Sequence, residues 1–445
     1  MELIPRPDLP GSAFVVAAAG NVAHKVLYGG LADLRPMPRT LIDDGMLREV
    51  YHYRPSAKVV EQGDPVLLVT PLAAPALCFD LRRGCSLVEH FVSNGRPTYL
   101  VEYGQVSFRD RNLGMEHWID EVVPAAIREV SAHAGGRPVH VIGWSLGGVF
   151  ALLTAADSPD LPIASVTAVG SPFDIKQVPL VAPLRPLLNL TEGGGIINRS
   201  YQAMGGAPKP LVKWAFQLSS FQKLVTKPLA IATRLDDQDF LAQLEAVDRF
   251  MDNMIAYPGR TFGQLYHRFV RGNALVTGTI DFGDRSISVA DITAPVLVFA
   301  GDTDGIAPIP AVRTVVPLLT GSKEVRFEVV PGGHLGMLTG RRARGTTWQI
   351  MDEWISRWSS DAEEIPTPTA RKKNAAARKA PARKTAGKTP AKKAPAKKAA
   401  NKTAKKTVTK KAAAKKPQRT AASREALGTN PARRYGSAGS RSLSS

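Results

Sequence analysis

Residues 139–150, VHVIGWSLGGVF, place two conflicting backbone demands side by side. Up to Trp144 the residues are β-branched and apolar, the composition of a strand buried on both faces. From Leu146 to about Ala156 the pattern becomes helical. Only a sharp turn joins the two, and in Gly-x-Ser-x-Gly the flanking glycines allow the backbone to approach closely while the serine hydroxyl is pushed clear. Gly143 and Gly147 supply the small positions, so Ser145 is expected to project from the carboxyl end of a buried strand.

The same kind of apolar run recurs along the chain, at DPVLLVT (64–70), PTYLVEY (97–103), ASVTAVG (164–170), APVLVFA (294–300) and VRFEVV (325–330). Helical patterns fall between them, such as SLVEHFVSNG and MEHWIDEVVPAAIREVSAHAGG. Near-continuous apolar strands separated by helices predict an α/β fold, a mostly parallel sheet covered on both faces. From Pro172 to about Ser288 no comparable strand appears. PLVAPLRPLLNL, KPLVKWAFQLSSFQKLV and QDFLAQLEAVDRFMDNMI read there as apolar helices, so an insertion of about 172–288 is expected to form a helical cap. Residues 1–60 carry only a weak pattern and are expected to be an extension packed on a core of 61–358.

A serine hydroxyl needs a base, and the base needs an orienting group. Where a Gly-x-Ser-x-Gly turn carries a triad, the acid and then the histidine follow on later strand-end loops. Only His267 and His334 lie downstream of Ser145. His334 follows two glycines at the end of VRFEVV, whereas His267 sits in LYHRFV, where packing is the expected role. For the acid, Asp304 is preferred because it lies deepest in the loop GDTDGIAP. Asp302 is expected to brace that loop, and Asp174 in GSPFD is a third candidate. The Leu146 amide, at a helix N-terminus, is a candidate oxyanion donor, with a second from Leu72 or Ala73 in TPLAAP.

Charge divides the chain. Lys and Arg exceed Asp and Glu by 58 to 39, but residues 371–445 hold 24 basic residues against one acid, Glu425, leaving residues 1–370 at −4. The stretch from about 359 to 445 is rich in Lys, Ala and Pro and poor in apolar residues, so it cannot bury enough surface to offset chain ordering and is expected to be disordered. It resembles the tails of histone H1-like proteins, which implies non-specific binding to nucleic acid or another anionic surface, with steep salt dependence. Cys78 and Cys85 provide no disulfide framework. A reducing, cytoplasmic setting is expected, with a Cys78–Cys85 bridge as the alternative. No run approaches the roughly 18 apolar residues of a membrane span, and no cofactor or metal site is read.

Three stretches carry a closer resemblance: FDLRRGCSLVEHFVSNGRPTYLVEYG, FVRGNALVTGTIDFGDRSISVADITAPVLVFAGDTDGIAP and PGGHLGMLTGRRARGTTWQIMDEWISRW. Together, over about residues 50–358, they resemble the polyhydroxyalkanoate synthase family of the α/β-hydrolase fold, and the last looks most like the shorter synthases that work with a second subunit. The resemblance implies a nucleophile at Ser145, a base at His334, an acid at Asp304, and acyl chemistry on coenzyme A thioesters, with acyl-CoA as substrate rather than cofactor. It also implies a second subunit or a homodimer as partner, while the charge of the tail is what leads to the expectation of association with the nucleoid or a lipid inclusion. Two positions depart from the family: Ser145 stands where its nucleophile is cysteine, and Gly305 where the residue after the acid is usually histidine. Serine favours discharge of the acyl group to water or an alcohol, so a serine hydrolase or acyltransferase acting on hydrophobic acyl esters or thioesters is expected. Polymer synthesis, or a non-catalytic granule or nucleoid scaffold, are the alternatives.

Overall fold

The six apolar runs form the core of one eight-stranded sheet. A computed structural model of the chain describes residues 11–179, 206–207, 210 and 221–360. The strands are β1 (Arg39–Gly45), β2 (Arg48–Tyr53), β3 (Val66–Val69), β4 (Thr98–Glu102), β5 (Val139–Trp144), β6 (Ile163–Val169), β7 (Val296–Gly301) and β8 (Val325–Val330), in spatial order β1-β2-β4-β3-β5-β6-β7-β8. Pairing is parallel from β4 through β8, and β2 runs antiparallel to both of its neighbours.

Helices cover both faces, as the continuous burial of β3, β5 and β7 requires. On one face α3 (Val123–His133) and α4 (Leu146–Asp157) meet Val139 and Val141 of β5 and Val298 of β7. On the other, α2 (Leu87–Ser93) and the C-terminal helix Thr347–Trp358 pack with Ile142 and Trp144 of β5 and Phe299 of β7. The period-two alternation of the strands thus feeds two separate apolar layers. Helix α2 is fixed at its start by Ser86, whose hydroxyl accepts from the Glu89 amide at 3.0 Å and donates to buried Asp80 at 2.6 Å.

One feature differs from the sequence expectations. Residues 39–53, with only a weak pattern, form β1 and β2 and extend the sheet ahead of residue 61. At this end of the sheet, where β1 is the edge strand, the pair buries little: Val50 and Tyr53 point into the core while charged neighbours stay accessible. Cys78 and Cys85 are both buried and both free thiols, so the alternative of a bridge between them is not formed.

Between β6 and β7 the chain leaves the sheet. Among the described residues this insertion contributes the helices α5 (Phe221–Ala232) and α6 (Gln238–Asp252) and a ribbon pairing Thr279–Asp281 with Ser286–Ser288. Arg82, only 7% exposed, reaches from the core to Asp239 Oδ1 (2.6 Å) and Gln243 Oε1 (2.9 Å), while Arg341 pairs with Asp237 at 3.0 Å. These contacts seat the first turns of α6 on the core. The expected helix PLVAPLRPLLNL lies, beyond its first residue, outside the described residues, as do most of KPLVKWAFQLSSFQKLV and all of 361–445.

His140 of β5 is 1% exposed, with Nδ1 2.8 Å from Ser165 Oγ and Nε2 3.1 Å from Ser359 Oγ. Burial, reinforced by the positive charge of Arg96, holds its imidazole down at about 3. The unfolded chain takes up this proton near pH 6.5 and the folded one does not, so stability present above that value is lost as pH falls toward 3. At pH 5 the loss is about 2 kcal/mol from this side chain. Urea titrations at pH 7 and pH 5 should show a smaller pH-dependent drop in His140→Asn than in the wild type.

Candidate active site

The turn after β5 is built around steric limits. Ser145 has φ 55° and ψ −122°, a conformation that a residue with a Cβ adopts only when its surroundings enforce it. A Cβ on Gly143 would lie 2.5 Å from the Gly147 carbonyl, and one on Gly147 would lie 2.4 Å from the Val69 carbonyl at the end of β3. A Cβ on Gly148 would fall 2.1 Å from Ser171 Oγ. The Ser145 amide donates to Val169 O (2.8 Å), and Ser171 Oγ donates to Ser145 O (2.8 Å). Small residues and neighbouring strands therefore hold the turn, leaving the serine hydroxyl free to point away.

It points at His334. Ser145 Oγ lies 2.9 Å from His334 Nε2, and His334 Nδ1 lies 2.8 Å from Asp304 Oδ2. The other oxygen of Asp304 accepts the amides of Ile306 (2.8 Å) and Ala307 (2.9 Å). An ionised carboxylate only accepts, so the imidazole proton sits on Nδ1 and the Nε2 lone pair faces the serine hydroxyl. Both His334 and Asp304 are buried. All three sequence candidates thus converge at the carboxyl edge of the parallel strands.

The remaining candidates separate. Asp302 Oδ1 accepts the Gly332 amide at 2.7 Å, a bond that is the main cause of its lowered carboxyl pKa, and so it braces the loop that carries His334. Asp174 caps the turn Ile175–Gln177 and accepts from Asn273 Nδ2 at 3.0 Å, away from Ser145. His267 lies on the wide turn Leu265–Arg271, half-buried, its proton affinity lowered by burial and by Arg271.

Leu146 opens α4, where unpaired amides and the positive end of the helix dipole favour a negative charge. The end of β3 lies against this turn, since a Cβ on Gly147 would meet both Val69 O and Thr70 O. The loop that follows carries Leu72 and Ala73, and Tyr103 secures it by donating to Thr70 O at 2.7 Å. Among the described residues no acceptor pairs with the Leu72 or Ala73 amide. Ala73 O accepts the Ile255 amide (2.8 Å), tying this loop to the insertion.

Two contributors have little sequence signal. Trp144 donates its indole N–H to His334 O at 3.0 Å, and its ring lies 5.0 Å from the imidazole and 6.0 Å from Phe250 of α6. One side chain therefore joins the nucleophile strand, the histidine loop and the cap. Gly170 has φ 59°, and a Cβ there would lie 3.3 Å from His334 Nδ1. Trp144→Phe should leave a buried carbonyl unpaired, costing about 1–3 kcal/mol of stability. It should also lower kcat for a soluble ester about tenfold with little change in KM, as steady-state kinetics and thermal melts would show.

The alpha/beta hydrolase family model matches residues 63–344. Similar proteins include the poly(3-hydroxyalkanoate) polymerase subunit PhaC of Allochromatium vinosum, 26% identical over 309 residues that span 69% of this chain and 85% of the relative. The PhaC subunit of Thiocystis violacea is 24% identical, spanning 76% of this chain and 94% of the relative. That of Synechocystis sp. is 23% identical, spanning 66% and 77%. Sheet order, strand-end loops and family match agree: the chain belongs to the alpha/beta hydrolase family and is similar within it to the poly(3-hydroxyalkanoate) polymerases.

Proposed function

We propose that this enzyme transfers acyl groups from hydrophobic esters or acyl-CoA thioesters through an acyl-serine at Ser145. The observation that carries the reading is the unbroken chain from Ser145 Oγ through His334 to Asp304. His334 Nε2 accepts the hydroxyl proton as Oγ attacks the acyl carbonyl. The amides of Leu146 and of Leu72 or Ala73 receive the oxyanion. Collapse breaks the bond to the thiol or alcohol, which leaves with the proton from His334. A second acceptor then discharges the acyl-serine along the same path in reverse.

Serine at position 145 bears on which acceptor is used. A thioester loading an alcohol oxygen runs downhill, and an oxyester returns the acyl group to a thiol only with difficulty. Water or an alcohol, including the hydroxyl of a hydroxyacyl chain, is the natural second partner. Polymer formation is the second reading, supported by the similarity to PhaC subunits over most of their length.

A fluorophosphonate probe should label Ser145 stoichiometrically and leave Ser145→Ala unlabelled, as read by peptide mass spectrometry. Absence of labelling would favour a non-catalytic scaffold. Incubation with 3-hydroxyacyl-CoA then divides the enzymatic readings, free acid marking hydrolysis and oligomer marking polymerisation.

A further inference from the structure

Helix α1 (Ser12–Tyr28) has almost no charge and almost no cover. It rests on the rest of the molecule by a narrow side that buries Ala18 and Asn21, with Asn21 Nδ2 donating to Leu235 O at 2.8 Å. Just beyond it, the Leu31 amide donates to Glu245 Oε2 of α6 at 2.9 Å. The opposite side exposes Val16 (72%), Val26 (78%) and Leu27 (75%), along with Val15 and Val22. At 100° per residue these five span an arc of roughly 140° with no charged group in it. Lys25 is the helix's only Lys or Arg and falls outside the arc, on the side of Ala18.

A soluble surface does not leave such a face open without a partner. A knobs-into-holes dimer needs a narrower stripe, whereas a broad, flat apolar arc fits a helix lying in the plane of a lipid interface. At 17 residues the helix is too short to span a bilayer, and no described helix is long and apolar enough to cross one. One apolar helix gives only marginal attachment, and a second signal is needed. The chain carries that signal as sequence: the 24 basic residues against one acid in 371–445, a charge complementary to anionic headgroups.

We propose that α1 is a docking surface for an anionic lipid bilayer, with its apolar arc in the interface and the basic C-terminal region supplying the electrostatic attraction. Asn21 of α1 bonds Leu235 just ahead of α6, the Leu31 amide just after α1 bonds Glu245 of α6, and Phe250 of α6 packs on Trp144 beside Ser145, so docking would bring the cap side of the enzyme to the lipid. The proposal stands independently of the acyl chemistry.

Co-sedimentation of the full chain with vesicles tests it, comparing phosphatidylcholine alone with a phosphatidylcholine and phosphatidylglycerol mixture. The full chain should partition to the anionic vesicles, more weakly at high salt. The Val16→Asp/Leu27→Asp double variant, altered only at exposed positions on one face, should partition at least about tenfold less while its thermal melt is unchanged. Equal binding by variant and wild type would overturn the proposal, leaving the basic region as the sole attachment. Failure of the wild type to bind either vesicle would also overturn it. So would a wild-type dimer that the double variant converts to monomer in light-scattering measurements, because a second copy would then be what covers α1.

Discussion

With Ser145 replaced by alanine, turnover of acyl esters and acyl-CoA is expected to fall about 10⁵- to 10⁶-fold in kcat, the cost of removing the group that bonds to the acyl carbon. Substrate binding should change little, because the hydroxyl is a small part of the contact surface. The fold should also persist. Alanine inherits the positive φ of position 145 without adding atoms, and the bonds to Val169 O and from Ser171 Oγ use the amide and carbonyl of residue 145, which the variant keeps. Thermal melts should therefore overlay while release of p-nitrophenol and of free thiol both collapse. A loss smaller than about 100-fold would mean that another group attacks the substrate.

Whether that collapse is equal for the two substrate classes is informative. Thioesters surrender their thiol more readily than oxyesters surrender an alcohol, so acylation from acyl-CoA should be less dependent on proton delivery by His334. Ser145→Cys extends the comparison. A thiolate in the same turn would exchange acyl groups with other thiols near equilibrium, so transfer to added thiol should rise relative to hydrolysis.

How far the sequence discloses this site depends on whether a residue's role is set by its neighbours along the chain or across space. Ser145 is legible because strand, glycines and helix are contiguous, and each glycine answers to a specific backbone clash. His334 is legible for a similar reason, a histidine between a strand and a short helical turn after paired glycines. Asp304 and Asp302 are harder, because both lie on one loop and both accept backbone amides. Only the space between β7 and β8 decides which carboxylate faces the imidazole. Trp144 and Gly170 are silent in sequence. One reads as another buried strand aromatic and the other as a strand terminator, yet each is shaped by His334, well over a hundred residues away.

The same distinction explains the fold. Central strands bury every side chain and so announce themselves. The edge strand β1 and its neighbour β2 bury little beyond Val50 and Tyr53, and Asp43, Asp44, Arg48 and Glu49 break their apolar pattern. The hairpin is specified by pairing with β4, a contact that local pattern does not encode. The wide turns at His117–Val122 and Leu265–Arg271 likewise read as ordinary helix, since one extra residue per turn hardly alters apolar spacing.

The two carboxylates of the β7 loop divide the proposed orienting role of Asp304 from the loop-bracing role of Asp302. Asp304→Asn should lower kcat about 10³- to 10⁴-fold. Its carboxylate uses one oxygen for His334 Nδ1 and the other for the amides of Ile306 and Ala307. An asparagine has one accepting oxygen. If that oxygen keeps the two amides, the NH₂ group faces Nδ1 and drives the imidazole proton to Nε2, where it opposes the serine hydroxyl. If the amide flips, the buried Ala307 N–H and the half-buried Ile306 N–H lose their acceptor, and the loop is destabilised by about 1–3 kcal/mol for the buried one. Asp302→Asn faces no such conflict over a histidine, because its amide oxygen can still accept the Gly332 amide, the main bond to this side chain. Its kcat should fall by less than about tenfold, with the loss of the negative charge as the main change. Measured side by side on one soluble ester, the two variants should differ by at least about 100-fold. Equal losses would assign the orienting role to the loop as a whole, and a reversed order would move it to Asp302.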